Sequence, residues 1–256
     1  MVLIMTTKLF IKKAIKAILP YGILVLYRQY RKQKELEKIC GPKNYCPICK
    51  KSNFFNEFGS YPREKAQCPH CGSLERHRLL WVLLKRTNIF SQGKKILHIA
   101  PEPCLENVFR KLHGGGYLSA DIENQNAMVK MDLTDIQYPN ETFDIIICYH
   151  VLEHIVDDKK AMTELHRVLK KDGWAILEVP VQNIEKTYED NSIITAEGRL
   201  EAFGQHDHVR IYGRDYIDRL KSVGFNVKLI DPSELLTEKK IKKMNPQRRC
   251  IHYCTK

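Results

Sequence analysis

The sequence predicts an α/β protein: a doubly wound, mostly parallel seven-stranded sheet, preceded by a small zinc ribbon and a basic amphipathic N-terminal segment. Three observations carry that expectation. Residues 142–181 read strand, loop, helix, turn, strand; residues 94–256 continue the alternation; and four cysteines stand ahead of it in two C-x2-C pairs. The implied divisions are 1–40, a basic amphipathic segment; 41–90, the ribbon and a linking helix; and 91–256, the α/β domain with an insertion at 182–213.

Within TFDIIICYHVLEHIVDDKKAMTELHRVLKKDGWAILEVPV, Ile145, Ile146 and Ile147 form an apolar run without alternation. That suits a parallel strand covered on both faces. Ala161, Leu165, Val168 and Leu169 recur at helical spacing among Lys159, Lys160, Glu164, Arg167, Lys170 and Lys171. Asp157 and Asp158 lie where a helix N-terminus favours negative charge, and Lys170 and Lys171 where its C-terminus favours positive charge. Gly173 is expected to be a left-handed stop, and Trp174 to Val181 a second buried strand broken at Pro180. Strand, helix and strand at this length make a right-handed crossover. Around it, Lys95 to Ala100 and Tyr117 to Ile122 read as strands flanking a helix at Leu105 to Leu112, and Met131 to Leu133 as a short third strand. Arg214 to Val223 reads as a helix stopped at Gly224, with Phe225 to Ile230 and Arg249 to Thr255 as the last strands. In such a sheet a ligand is expected beyond the carboxyl ends of the strands.

The residues at these joints resemble those of class I S-adenosylmethionine (SAM) methyltransferases, over roughly residues 94–256. The resemblance implies a Rossmann-like methyltransferase domain with SAM as cofactor. Asp121, in YLSAD, takes the place of the acid that binds the ribose hydroxyls; Asp132, in KMDLTD, that of the residue beside adenine, with Asp135 its near competitor. FDIIIC and the loop YHVLEH match the segment bordering methionine and substrate, which places Tyr149 among the implied cofactor contacts. RVLKKDGWAILEVP matches the family's turn and fifth strand. The first-strand loop departs from the family's DxGxGxG: it reads HIAPEP, without glycine and with two prolines that remove amide donors. Ala100 is small enough to stand in, and Glu102 would supply the replacement polar contact, toward the SAM amino group. The loop is similar to that of prokaryotic methyltransferases carrying an N-terminal zinc module.

CPIC (Cys46, Cys49) and CPHC (Cys68, Cys71) give C-x2-C-x18-C-x2-C, inside the zinc-site range. Two-residue gaps let paired thiolates converge on a tetrahedral ion. No secretory signal reads upstream, which favours metal over disulfides; redox use of one pair is the alternative. Zn2+ held by four cysteines is saturated and therefore structural, with His70 a bystander. CGSLERHRLLWVLL reads as the linking helix, capped at Ser73. Cys40, Cys104, Cys148, Cys250 and Cys254 read as small apolar residues.

The formal charge of +12 is unevenly placed: residues 1–45 carry +8 and residues 235–256 carry +6, which leaves −2 for residues 46–234. The core is not a basic nucleic-acid surface, so nucleic acid is the less favoured partner. Phe10, Ile11, Ala14, Ile15 and Ile18 form one helical face opposite Lys12, Lys13 and Lys16. The uncharged run 17–27 is too short to span a bilayer and contains Pro20 and Gly22. Residues 1–32 are thus either a peripheral anchor on anionic lipid or a helix packed on the protein. The expected location is cytoplasmic, at the inner face of the membrane if anchored.

In the insertion, His206, Asp207, His208, Arg210 and Tyr212 lie within seven residues. His206 or His208 is the first choice of general base, and His150 or His154 the second; Arg210 is an anion clamp, with Asp207 and Tyr212 beside substrate. The same cluster, completed by Glu153 or His154, is alternatively a metal site, or a hydrogen-bonded loop closing over the sheet. The expected reaction is in-line methyl transfer to an oxygen or nitrogen of a small-molecule or glycan acceptor, the glycan being implied by resemblance to methyltransferases of surface-glycan synthesis. An RNA methyltransferase with a zinc recognition module stays open, as does a non-catalytic adaptor with a degenerate SAM loop.

Overall fold

The computed structural model describes residues 21–40, 42–59 and 62–256. The amphipathic face at 10–18 and most of the expected anchor lie outside them. Helix α1 (Tyr21–Cys40) exposes Leu26, Tyr27 and Tyr30. Among the described residues, no helix is long and apolar enough to cross a membrane.

Two small antiparallel hairpins follow, β1 (Asn44–Tyr45) with β2 (Ser52–Asn53) and β3 (Asn56–Phe58) with β4 (Arg63–Gln67). Helix α2 (Glu75–Leu84) leads into the α/β part. There β5 (Ile96–Ile99), α3 (Pro103–His113), β6 (Tyr117–Asp121), β7 (Val129–Lys130), β8 (Phe143–Tyr149), α4 (Asp158–Val168) and β9 (Leu169–Glu178) alternate as expected. The insertion is not irregular: β10 (Tyr188–Glu189) pairs with β11 (Arg210–Ile211) around α5 (Ala196–Phe203). The chain finishes with α6 (Tyr216–Ser222), β12 (Asn226–Ile230), α7 (Pro232–Leu235), α8 (Glu238–Met244) and β13 (Ile251–Thr255).

The main sheet has seven strands in the order β12-β13-β9-β8-β5-β6-β7. β5 to β9 run parallel, whereas β13 is antiparallel to both β9 and β12. Side chains alternate between the two covered faces. Ile146, Cys148, Ala175 and Leu177 meet Ala161, Met162 and Leu165 of α4 and Leu220 of α6. Ile145, Ile147, Trp174 and Ile176 share the opposite core with Leu79, Leu80, Leu83 and Leu84 of α2, Leu105 and Phe109 of α3, and Ile241 and Met244 of α8. The helix that follows the cysteine hairpins is therefore part of the sheet's packing.

Three local expectations are corrected. Gly173 lies inside β9, not at a left-handed helix stop, and Lys170 and Lys171 are strand residues rather than a helix C-terminus. A Cβ on Gly173 would stand 2.9 Å from the Asp144 carbonyl oxygen, so glycine serves close approach to β8, where the ladder shifts register. Asp157 does cap α4, accepting from the Lys160 amide at 3.0 Å. Ser73 does not cap α2; the N-cap position is Leu74, whose amide donates to His77 Nδ1. The third strand falls at Val129–Lys130, just before the expected Met131 to Leu133.

Candidate active site

Two parallel strands end in residues whose backbones enter the left-handed region without being glycine: Ala100 after β5 (φ 46°) and His150 after β8 (φ 58°). Each conformation costs about 1 kcal/mol for an L-residue and is held by tertiary contacts. The Ala100 amide donates to Ala120 O at 2.8 Å and the His150 amide to Glu178 O at 2.8 Å. The HIAPEP loop thus adopts a turn that glycine would favour, using the smallest side chain with a Cβ.

Glu102 is turned inward. Its Oε2 lies 3.0 Å from His98 Nε2, and its Oε1 lies 3.5 Å from His77 Nε2 of α2. Burial raises the Glu102 pKa, but the His98 hydrogen bond and the nearby imidazoles more than offset it, holding the group below the usual carboxylate range. Burial pushes the His77 imidazole down to about 4. Asp121, at the end of β6, accepts from the Glu123 and Asn124 amides through Oδ1, at 2.8 and 2.9 Å. Its Oδ2 has no protein partner among the described residues. Asp132 is exposed, with Oδ1 on the Thr134 amide and hydroxyl. The Tyr149 side chain lies in the core, its hydroxyl donating to Gln247 Oε1 at 3.4 Å, so that of Tyr149 the backbone is left at the strand end.

Beyond β8, His150 Nδ1 lies 3.1 Å from Glu153 Oε1, while Glu153 Oε2 is buried without a partner. His154 Nδ1 is 3.2 Å from Asp207 Oδ2, and the His154 and His208 rings meet edge to face at 4.8 Å. Burial, with His154 beside it, lowers the His208 pKa. The YHVLEH loop and the HDH segment therefore meet, pinned by the Val209 amide donating to Glu153 O at 3.0 Å. His206 is exposed and joins none of these contacts.

Arg210 and Tyr212 require correction. The Arg210 guanidinium is 2 % exposed and donates to the carbonyls of Leu152, Ile155 and Val156 and to Glu189. Tyr212 is fully buried, its hydroxyl 2.7 Å from Asp158 Oδ2. The Tyr212 hydroxyl is committed inside the core, whereas Arg210 spends most of its donors on the β8 loop and Glu189 while still contributing to a cavity wall; together they tie the β8 loop to the insertion.

A cavity of about 1010 Å³ opens beside the ends of β8 and β9, with His150, Pro180 and His208 in its wall. The far side is made by Arg63, Glu75 and Arg76, by Phe203 of α5, and by Gln247, Arg248 and Arg249. Apart from Phe203 in the insertion, sequence reading missed these residues, because the segments 63–76 and 247–249 lie about 170 positions apart. They are stitched by backbone: Arg78 donates to Asn245 O at 2.6 Å, Asn245 Nδ2 to Lys65 O at 2.9 Å, and the Gln247 amide to Glu75 O at 3.0 Å. Asp121 and Asp132 do not line this cavity.

The four cysteine sulfurs converge, with Cys46–Cys71 at 3.6 Å and Cys49–Cys68 at 3.8 Å. A disulfide requires about 2.05 Å, whereas a tetrahedral ion with metal–sulfur bonds of about 2.3 Å separates sulfurs by about 3.8 Å. Ser73 Oγ reaches Cys46 and Cys71, and the buried Arg78 places a cation near the cluster. The donor set fits Zn2+, and His70 stands outside it.

Comparison with known proteins agrees with this architecture. A family profile described as "Methyltransferase domain" matches residues 119–177, from β6 to β9. An uncharacterized methyltransferase of Bacillus subtilis, YcgJ, is 43 % identical over 42 residues, which is 16 % of this chain and 17 % of that protein. The match thus spans about a sixth of that relative's length. A SAM-dependent methyltransferase structure from Mesorhizobium loti aligns over 70 % of this chain and 98 % of its own, with a TM-score of 0.50 at 11 % identity. The YcgJ structure aligns over 70 % and 96 %, with a TM-score of 0.45 at 14 % identity. The chain therefore has the Rossmann-like methyltransferase fold, and its residues 119–177, from β6 to β9, match the methyltransferase domain profile.

Proposed function

We propose that the protein is a SAM-dependent methyltransferase whose oxygen or nitrogen acceptor enters the cavity beside β8. One observation carries this reading: His150 stands in the cavity wall at the carboxyl end of the central strand, held from behind by the buried Glu153, and both lie within the matched methyltransferase stretch. Bound SAM supplies an electrophilic methyl group on a sulfonium. Asp121 has one carboxylate oxygen free for the ribose hydroxyls, and Ala100 keeps the β5 end shallow. His150, oriented by Glu153, accepts the acceptor's proton. The remaining contribution is alignment and exclusion of water.

The acceptor is a polar, hydroxyl-bearing molecule of the glycan-intermediate class, for which the cavity's arginines and glutamates supply hydrogen bonds and an anion contact. Zn2+ on Cys46, Cys49, Cys68 and Cys71 is structural, keeping Arg63, Glu75 and Arg76 on the rim. Residues 1–32 hold the enzyme against anionic lipid on the cytoplasmic side, and lipid flotation with and without them tests that assignment. Calorimetry should find SAM binding, weakened at least about tenfold by Asp121→Ala. Absence of SAM binding by the unaltered protein would end the methyltransferase reading. Label from methyl-SAM should pass to a glycan fraction; transfer to RNA alone would overturn the acceptor class.

A further inference from the structure

We propose that Glu153, His154 and His208 bind one divalent first-row metal ion, which holds the acceptor oxygen beside His150. One ligand atom from each of the three residues lies within 4.8 Å of the others. An ion with bonds of about 2.1 Å draws its ligands to roughly 3.0–3.5 Å of one another, a side-chain adjustment away. Two imidazoles and one carboxylate suit Mn2+, Co2+ or Zn2+ and leave coordination positions open.

The independent observation is Glu153 itself. It is 1 % exposed, its Oε1 is engaged by His150, and its Oε2 is buried with no partner. A carboxylate oxygen left in that state costs a few kcal/mol unless a cation or donor reaches it. The surroundings are also those of an ordered ligand set. Asp207 Oδ2 faces His154 Nδ1 at 3.2 Å, leaving Nε2 for an ion, as carboxylates commonly back a ligating imidazole. The Val209 amide on Glu153 O fixes the segment carrying His208. His208 lines the cavity, so an open coordination position faces the space assigned to the acceptor.

The catalytic role rests on the methyltransferase reading; metal binding does not. With the acceptor oxygen on the ion, its O–H proton passes to His150 and an oxygen lone pair forms the new C–O bond. The C–S bond breaks as its pair returns to sulfur, and the positive charge of the sulfonium ends as the proton on the imidazole.

The test uses the full chain with zinc retained at its cysteines, titrated with Mn2+ and read by the paramagnetic resonance of the free ion. One Mn2+ should bind per chain, without SAM present. Glu153→Gln, which preserves shape, and His208→Ala should each weaken it at least about tenfold. Calorimetric SAM affinity serves as the check that each variant is folded. Absence of binding up to about 1 mM Mn2+, or equal binding by folded variants, overturns the site. Mn2+ binding without SAM binding would leave the site standing and remove only its assigned role.

Discussion

The β5 and β8 ends are built alike and finished differently. Each has a left-handed non-glycine residue just past the strand, and each has a glutamate within the next three positions whose carboxylate engages a histidine. Glu102 is closed, with Oε2 hydrogen-bonded to His98 and Oε1 facing His77 Nε2 at 3.5 Å, too far for a made hydrogen bond. Glu153 is open, with one oxygen on His150 and the other unpartnered. A carboxylate lying between two imidazoles from different elements acts as a joint, whereas an oxygen with no donor near it is open to a ligand. The difference supports the proposed division, in which β5 holds α2 against the sheet and β8 carries the chemistry.

The sharpest way to break that contrast is to remove the closed carboxylate. Glu102→Ala removes the acceptor of the fully buried His98 imidazole and the carboxylate facing His77, and should cost about 3 kcal/mol in urea unfolding. A loss below about 1 kcal/mol would show that the joint is not structural. Acid should act on the same place. His77 is held near 4 in the folded protein but titrates near 6.5 when unfolded. The unfolded chain therefore binds the extra proton between those values, so stability is full above about 6.5 and falls as pH drops toward 4. The expected loss is about 2–3 kcal/mol, and His77→Gln should flatten the profile. At the open end, Glu153→Gln should slow methyl transfer roughly a hundredfold, about 2.7 kcal/mol in barrier, without loss of stability in metal-free buffer, since it removes a buried unpartnered charge. A large stability loss there would make β8 a second joint. The smallest effect is at Ala100, where Ala100→Gly relieves the left-handed backbone and should stabilise by about 0.5–1 kcal/mol in the same unfolding assay.

Sequence showed the strands wherever burial on both faces made an uninterrupted apolar run, as at Ile145 to Ile147, and showed α4 through its period and the acidic pair Asp157 and Asp158 at its start. It misplaced Gly173, because a glycine after Lys170, Lys171 and Asp172 has the same composition whether it stops a helix or admits a neighbouring carbonyl. Only the approach of Asp144 distinguishes them. The HDH segment was visible as a concentration of functional groups, but their direction was not. Arg210 and Tyr212 are two apart on one side of a short strand, and that side faces Asp158 and the β8 loop. Strand alternation applied to residues 208–212 was the available signal. The segments 63–76 and 247–249 of the cavity wall had no local signal, since Glu75 and Gln247 meet only through tertiary packing.

The place of β13 bears on how the protein is made. This strand, residues 251–255, separates β9 from β12, both of which emerge earlier from the ribosome. Until it arrives, β9 presents an open, largely apolar edge, and β12 has no partner in the sheet. At about 5–20 residues per second, the interval after β9 is on the order of ten seconds. Exposed edges of that kind pair readily with other chains. A synonymous change that stalls the ribosome after β9 and before β13 should therefore lower soluble yield without altering a single residue.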